Sequence, residues 1–268
     1  MTMPNVSRRP DGRTAALGAL LLASAAGAAC GTEGAPDPLA PTGPRGRVRF
    51  VNLITDTTRG RVNVLVEQAP APIPLGVNVT YGVACPACLP SPSTAPYAAA
   101  YAGSPTLVLR RTADTAATVA TLAFEVAADE DRTVYAVGGV GGSAITAFVT
   151  RDTNAVPAAG QARVRVVHLS PTAGPVDVFV TAPGADLAAA TPTLANVPVQ
   201  GVSRYLAVPA GTYQVRVVPA GTAPDARAAA VAITVPSLAL AAGANRTIVA
   251  ADRNAGGAPL QAITLVDR

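Results

Sequence analysis

The residues best suited to chemistry are two cysteines in the segment Cys85-Pro86-Ala87-Cys88. A C-x-x-C pair can be a redox dithiol, half of a zinc site or a structural disulfide. A structural zinc site needs about four ligands, whereas the chain has a single histidine and one further cysteine, Cys30. A redox pair needs its first cysteine at a helix N-terminus, and the Pro-rich segment 69–96 shows no helical pattern. We therefore predict a structural disulfide between Cys85 and Cys88, with a redox dithiol as the alternative.

A glycine-rich segment and the single histidine are the next candidates. Residues 139–144 match the pattern G-x-G-x-x-A, but a dinucleotide site also needs a helix whose N-terminus meets the pyrophosphate. The residues that follow, 145–149, are strand-like, so we predict a hairpin loop. His168 shares the parity of Val164 and Val166, which places it on the inner face of a strand. A hydrogen-bonded structural role is expected for it, with catalysis as the alternative.

Charge and composition narrow the classes of function further. The adjacent acids Asp129, Glu130 and Asp131 are typical of a solvated turn, and a weak calcium site is the alternative. All 20 basic residues are arginine, which excludes lysine chemistry. Tryptophan is absent, whereas nucleic-acid sites combine a clustered basic face with stacking aromatic rings. We therefore predict no catalytic residue, no metal or cofactor site and no nucleic-acid partner, and we expect that the protein is not an enzyme.

Residues 1–30 have the features of an export signal. Arginines at 8, 9 and 13 precede an apolar run, 15–29, that is shorter than the ~20 residues needed to span a bilayer. The run ends in Gly27-Ala28-Ala29-Cys30-Gly31, which resembles a bacterial lipobox and predicts lipidation of Cys30. Ordinary cleavage near 26–28 is the alternative. Residues 31–46 contain four prolines and predict a tether. We expect a protein exported and lipid-anchored to the bacterial cell envelope, on its periplasmic or surface face, or otherwise secreted.

An internal repeat divides the rest of the chain. The segment RVRFVNL at 47–53 returns as RVRVVHL at 163–169, a shift of 116 residues, and RTVYA at 132–136 returns as RTIVA at 246–250, a shift of 114. Further blocks recur in the same order. The pattern predicts two tandem domains, 47–152 and 162–268, joined by a linker at 153–161. A period this long requires a separate core in each unit.

The repeated blocks have the periodicity of strands. Apolar and polar residues alternate in RVRV at 163–166 and TYQVRV at 212–217, which puts one set on each face of a strand. Turn signals such as Ser170-Pro171 and Gly256-Gly257 separate these runs. We predict an all-β fold of two tandem immunoglobulin-like or transthyretin-like β-sandwich domains, which follow the signal peptide and a Pro/Gly-rich tether. Only Ala-rich stretches such as 185–190 are compatible with helix.

Four segments of the second repeat occur together in a recognisable pattern. They are RVRVVHLSP at 163–171, VDVFV at 176–180, YLAVPAGTYQVRV at 205–217 and LQAITLVD at 260–267. Together they resemble the bacterial domain-of-unknown-function family 4397. The first repeat is a weaker match, because Asn52 stands where the second repeat has His168. The resemblance implies an exported, often surface-anchored β-domain that is frequently found in tandem and carries no known catalytic residues.

These observations favour a non-enzymatic envelope or cell-surface lipoprotein that acts as a binding, adhesion or scaffolding module. Its expected partners are the membrane, through the N-terminal lipid anchor, and an envelope protein or polysaccharide. One alternative is a carbohydrate-binding module that stacks sugars on Tyr97, Tyr101, Tyr205 and Tyr213. The other is an envelope thiol-disulfide protein that uses Cys85 and Cys88.

Overall fold

The structure is a computed structural model that describes residues 43–68, 71–88 and 95–267. The predicted signal peptide at 1–30, the lipidation site Cys30 and most of the tether at 31–46 lie outside these residues. In the described ranges, no helix is long and apolar enough to cross a membrane.

The first repeat is built from strands that follow the predicted alternation. Up to residue 152, the described part of the chain forms nine strands: β1 (Arg45–Ile54), β2 (Val62–Glu67), β3 (Ile73–Val79), β4 (Ala84–Cys85), β5 (Ala98–Tyr101), β6 (Thr106–Arg111), β7 (Asp114–Ala123), β8 (Asp131–Gly138) and β9 (Ile145–Asp152). One sheet has the order β4-β1-β8-β9, with β5 also paired to β1, and the other has the order β3-β2-β6-β7.

These two sheets pack face to face around a buried core. On β1 the side chains of Val48 and Phe50 point into this core, and on β2 those of Val62 and Val64 meet them from the other sheet. Removing each such side chain from water stabilises the fold by roughly 1.5–3 kcal/mol. The period of two along each strand therefore supplies the inner face of a sandwich.

The second repeat forms the same sandwich again. Its strands are β10 (Gln161–His168), β11 (Val176–Thr181), β12 (Leu194–Val197), β13 (Leu206–Pro209), β14 (Gly211–Pro219), β15 (Ile233–Leu240), β16 (Asn245–Ala251) and β17 (Gln261–Val266). The sheet orders are β13-β10-β16-β17 and β12-β11-β14-β15. In both repeats the first strand runs parallel to the first strand of the closing hairpin, β1 to β8 and β10 to β16. The second repeat has a core of its own, separate from that of the first repeat.

The all-β class and the pair of tandem sandwiches are thus confirmed. Helical structure among the described residues is limited to the short 3₁₀ turns Val140–Gly142, Pro171–Ala173 and Pro224–Ala226. The expectation that 185–190 is compatible with helix is wrong, because this stretch forms turns. Asp186 accepts a hydrogen bond from the Ala188 backbone N–H at 2.9 Å, an Asx turn that competes with helix.

Candidate functional site

The two repeats meet along the outer face of their first sheets. Besides its inner residues, β1 carries Val51 and Leu53 on the opposite face; the equivalent residues of the second repeat are Val167 in β10 and Leu169 directly after it. A strand that is apolar on both faces is buried on both. We call the buried layer between the repeats the seam; its buried residues are Val51, Leu53, Tyr135, Val167, Leu169, Val249, Ala251 and Leu265. The seam joins the repeats in one compact unit.

Two arginines cross the seam in opposite directions. The Arg49 Nη2 atom donates to Asp267 Oδ1 at 2.7 Å, and Arg165 Nη2 donates to Asp152 Oδ1. Arg49 and Arg165 are equivalent by the repeat shift of 116, and Asp152 and Asp267 by a shift of 115. Each arginine therefore pairs with the aspartate of the other repeat. This reciprocity is the signature of an isologous interface, here formed within one chain.

The ion pairs are buried and fully supported by hydrogen bonds. The side chains of both arginines are 2% exposed and those of both aspartates 0%. A threonine of its own repeat accepts from the Nε of each arginine: Thr133 at 3.0 Å from Arg49 and Thr247 at 2.8 Å from Arg165. The same threonine hydroxyls donate to the aspartates of their own repeats. Charges removed from water persist only with such complete pairing.

A tyrosine of each repeat contacts both the aspartate and the arginine of its own repeat. Tyr97 donates its hydroxyl to Asp152 Oδ2 at 2.8 Å, and Tyr205 donates to Asp267 Oδ2 at 2.9 Å. The guanidinium of Arg49 lies 4.6 Å from the ring centre of Tyr97, and that of Arg165 lies 4.7 Å from the ring centre of Tyr205. Burial raises the pKa of both tyrosines far above the usual range, so their hydroxyls remain donors.

Tyr135 departs from this symmetry. It lies on β8 in the seam, and its repeat equivalent is Val249. Its hydroxyl is buried and has no hydrogen-bond partner within the described residues. Burial raises the pKa of Tyr135 to about 12. The hydroxyl is therefore a neutral polar group that the seam buries at a cost.

A cavity of about 400 Å³ opens at the end of the seam where β1 and β10 finish. We call it the seam cavity. Leu53 and Leu169, which are equivalent in the two repeats, line it together with loop residues of both repeats. Among the described residues that line it, Asp252 is the one with a formal charge. Ligand pockets are commonly found at such interfaces and measure roughly 300–1,000 Å³.

The two cysteines of the C-x-x-C segment form a disulfide. Cys85 lies in β4, opposite Phe50 of β1, and is fully buried in the core of the first repeat. Of the described residues of the Pro-rich segment, β3 and β4 belong to the two sheets of the first repeat. A Cβ added at Gly76 would come within 2.7 Å of the Cys85 sulfur and 3.0 Å of the Cys88 sulfur, so the disulfide packs directly against β3.

His168 and its counterpart Asn52 hold loops onto the inner ends of their strands. His168 is fully buried, and its Nε2 lies 2.7 Å from the Gly174 carbonyl oxygen. Asn52 donates from Nδ2 to the carbonyl oxygens of Gly60 and Val79, at 2.6 and 3.0 Å. Both side chains therefore have the hydrogen-bonded role that was expected of His168.

The remaining predicted residues are also placed by the fold. The glycine-rich segment 139–144 turns between the antiparallel strands β8 and β9. Of the acids, Asp131 pairs with Arg47 at 2.6 Å and Glu130 with Arg132 at 2.6 Å. The described part of the chain contains no group of three or more acidic, histidine or cysteine side chains that could hold a metal ion.

The tyrosines assigned to sugar stacking do not form a platform. Tyr97 is 6% exposed, and Tyr205 binds Asp267, so both rings are committed to the seam. Tyr101 and Tyr213 are half-buried, and the ring of Tyr101 is covered by Arg45 at 4.8 Å. The four rings of that alternative are therefore not all available, because the hydroxyls of Tyr97 and Tyr205, each just before a strand, bind the seam aspartates of their own repeats.

The arginines and aspartates of the seam were missed in the sequence. Two signals identify them: each recurs unchanged at the repeat shift, and Arg49 shares its strand face with the apolar Val51 and Leu53. A charged residue on an otherwise apolar outer face is typical of a buried, paired charge.

Two similar β-sandwiches fused through an isologous seam define a class of tandem all-β module. The family model described as "Domain of unknown function (DUF4397)" matches residues 46–179 and 180–268, and the chain belongs to this family. The boundary between the two family matches falls inside β11. In the structure, by contrast, the first repeat ends with β9 and the second begins with β10.

No curated protein matches the chain. Among solved structures, a leucine-rich repeat protein from Bacteroides thetaiotaomicron is similar, with 15% sequence identity and a TM-score of 0.19. The match covers 81% of this chain and 26% of that one, so the chain spans about a quarter of its length.

Proposed function

We propose that the chain is a non-enzymatic module of the bacterial cell envelope, anchored by a lipid at Cys30 and used for binding, adhesion or scaffolding. The observation that carries the proposal is the reciprocal pairing of Arg49 with Asp267 and of Arg165 with Asp152. The buried charges of this cluster bind the two repeats to each other. In an active site, by contrast, perturbed charged groups face an open cleft.

The seam favours a mechanical or presenting role over independent domains. Repeats within a chain move relative to each other unless their interface is large and apolar. Here the apolar seam is reinforced by the two ion pairs between the repeats, which are lost if the repeats separate, although Arg49 also lies 3.5 Å from Asp152 of its own repeat. The linker is held as well, because Arg163 donates to the Thr153 carbonyl oxygen at 3.0 Å and Asn245 to that of Ala155 at 3.0 Å. A tether at 31–46 would then carry one two-repeat body.

The contacts weigh against both alternative functions. Thiol-disulfide exchange needs an attackable sulfur; Cys85 is fully buried behind β3, which leaves the half-buried Cys88 as the one sulfur of the pair that is open to attack. A sugar platform needs exposed rings, whereas Tyr97 and Tyr205 are engaged by the seam aspartates.

A fractionation experiment with activity controls tests the proposal. The full chain and a Cys30→Ala variant are expressed in a bacterial host, partitioned between detergent and aqueous phases, and analysed by mass spectrometry of the mature N-terminus. We expect the native chain in the detergent phase with acylated Cys30, and the variant in the aqueous phase. An unmodified N-terminus refutes the anchor, and insulin reduction that is lost in Cys88→Ser refutes the non-enzymatic role. A silent glycan array would remove the carbohydrate alternative.

A further inference from the structure

Four arginine side chains among the described residues make no hydrogen bond, ion pair or ring contact; they are Arg61, Arg110, Arg111 and Arg204. The other described arginines bind carboxylates, carbonyl oxygens or hydroxyl groups, as those of the seam do. Two of the four, Arg61 and Arg110, lie together on the first repeat. Since a guanidinium is positively charged at neutral pH, this arrangement places two uncompensated charges side by side.

The strand register puts these two arginines on the same face of a sheet. Val62 of β2 and Leu109 of β6 are buried in the core, so their neighbours Arg61 and Arg110 point to the outer face. Asn63, two residues after Arg61, pairs directly with Arg110 in the register. The two arginines are therefore diagonal neighbours, with Cβ atoms roughly 7 Å apart, and their long side chains can reach one ligand group together.

Hydroxyl and amide groups surround the two guanidinium groups. Thr118 of β7 pairs with Arg110 in the register, and Thr121 lies further along the same strand on the same face; both threonines are exposed. The side-chain oxygen of Asn63 accepts from the Asn78 N–H at 2.8 Å, which holds the amide in place. We call the outer surface formed by Arg61, Asn63, Arg110, Thr118 and Thr121 the arginine face.

The acids of this region do not neutralise the arginine face. Asp56, in the loop before β2, is paired with Arg59 at 2.5 Å. Asp114 pairs in the register with Arg111, which points to the other side of the sheet. Glu67 shares the face but stands at the opposite end of β2, about 13 Å or more along the strands from either arginine of the face. The face therefore attracts an anion.

In the second repeat the equivalent face is covered by the chain itself. Val218 stands where the first repeat has Arg110, and it is fully buried together with Leu187 of the loop between β11 and β12. The corresponding loop of the first repeat, between β2 and β3, is shorter, 68–72 against 182–193. It is too short to cover the arginine face in the same way, and the threonines there are exposed.

The chemistry of the arginine face favours a polysaccharide over a protein as the occupant. Protein partners are anchored by aromatic and aliphatic side chains in desolvated pockets, whereas the exposed groups here are guanidinium and hydroxyl groups. A guanidinium binds a carboxylate through two parallel hydrogen bonds. Threonine hydroxyls can donate to and accept from the hydroxyls of a sugar. A chain that carries both carboxylates and hydroxyls is complementary to such a face.

We infer that the arginine face binds an acidic polysaccharide, whose carboxylates accept hydrogen bonds from Arg61 and Arg110 and whose hydroxyls bond to the threonines beside them. The inference rests on the proposed binding role and names the class of partner. It differs from the sugar-stacking alternative, because charge rather than an aromatic ring holds the ligand. It requires neither the lipid anchor nor the seam cavity.

Calorimetric titration with three polymers tests the inference on the purified full chain in a neutral detergent. The probes are polygalacturonate, an acidic polysaccharide; dextran, a neutral polysaccharide; and poly-L-glutamate, an acidic polypeptide. We expect polygalacturonate to bind most tightly and dextran not to bind. Raising the salt concentration from about 0.05 M to about 0.2 M should weaken the binding of polygalacturonate, because exposed ionic contacts are screened.

Single variants locate the site. Arg61→Gln and Arg110→Gln should each weaken polygalacturonate binding by about fivefold, the upper range for an exposed ion pair. The matched control is Arg204→Gln, which removes the same charge from the exposed, unpartnered arginine of the second repeat. Thr121→Glu should also weaken binding, because the new carboxylate competes for Arg110. Thr234→Glu, at the equivalent exposed position of the second repeat, should bind as the parent does.

Each outcome decides the inference. If dextran binds as well as polygalacturonate, or if no polymer binds, the inference is wrong. If poly-L-glutamate binds most tightly, the partner is a protein and the polysaccharide class is wrong. If both arginine variants bind as Arg204→Gln does, or Thr121→Glu binds as Thr234→Glu does, the site is wrong. The two glutamate variants decide this even where an arginine variant fails to fold. Acylation of Cys30 is measured separately, so a negative result here leaves the anchored module standing.

Discussion

The guanidinium of Arg49 and the carboxylate of Asp267 are in contact at 2.7 Å across 218 residues of sequence. Their repeat equivalents make the same contact in the opposite direction. The contact therefore ties the first strand of one sandwich to the end of the last strand of the other, and it suggests direct tests.

Removing one charge from the seam should destabilise the whole chain. Asp267→Asn leaves Arg49 buried without its closest partner, and breaking a buried ion pair in this way costs about 3–5 kcal/mol. The measurement is the free energy of unfolding in denaturant. Asp225→Asn, which changes an exposed acid in a 3₁₀ turn, is the matched control and should stay within about 0.5 kcal/mol of the parent. Equal effects of the two variants would contradict the importance of the seam.

Replacing both partners should recover much of this loss. In Arg49→Met with Asp267→Leu, no unpaired charge is left from that pair, and apolar replacements of buried ion pairs are often neutral. A double-mutant cycle should therefore give a coupling energy above about 1 kcal/mol. A coupling energy near zero would mean that the two side chains act independently.

The second repeat expressed alone, as residues 159–268, should fold and associate with itself. It has its own core, and its Arg165 and Asp267 can pair with those of a second copy across the exposed seam face. Light scattering after size exclusion should show a dimer, and Arg165→Ala should shift the fragment to a monomer. A fragment that melts cooperatively as a monomer would show that the seam contributes little, and one without a cooperative melt would show that the repeats share their stability.

The two seam tyrosines should respond in opposite ways to loss of the hydroxyl. Tyr97→Phe removes a donor to the buried Asp152 and should cost about 1.5–3 kcal/mol, the range for hydrogen bonds to charged groups. Tyr135→Phe removes a buried hydroxyl that has no partner and should be neutral or stabilising. Thermal melts of the two variants check this directly. A large loss in Tyr135→Phe would reveal a bound water at that hydroxyl.

The two cysteines should differ in their sensitivity to substitution. Reduction, or Cys88→Ser, opens a very short loop, so the loss is expected to stay well under ~3 kcal/mol. Cys85→Ser also opens it but places a hydroxyl in the core, which should cost about 1–3 kcal/mol more. Denaturant titration compares the variants, and thiol titration of the parent should find no free thiol at either position. Equal stabilities of the two serine variants would place Cys85 outside the core.

Much of the fold could be predicted from the sequence because its signals are local. The period of two predicts strands, and the recurrence of RVRV segments predicts two sandwiches. The seam was not predictable in the same way, since alternation places Arg165 on the face opposite Val164 without saying what covers that face. Burial of Arg165 depends on another repeat about one hundred residues away. The seam cavity depends on six loops that meet in space.

Fusion of the repeats has a consequence for how the two halves can differ. In a dimer of identical chains, every residue near the symmetry axis occurs twice, so a carboxylate at the position of Asp252 would face a second one. Covalent linkage lifts that restriction, and it also keeps the halves at a high effective concentration. Gly138 and Asp252, which are equivalent at the repeat shift of 114, show the result. The first repeat has no side chain at this position, whereas the second has a carboxylate. The fused chain can thus hold an asymmetric pocket between two halves that otherwise repeat each other.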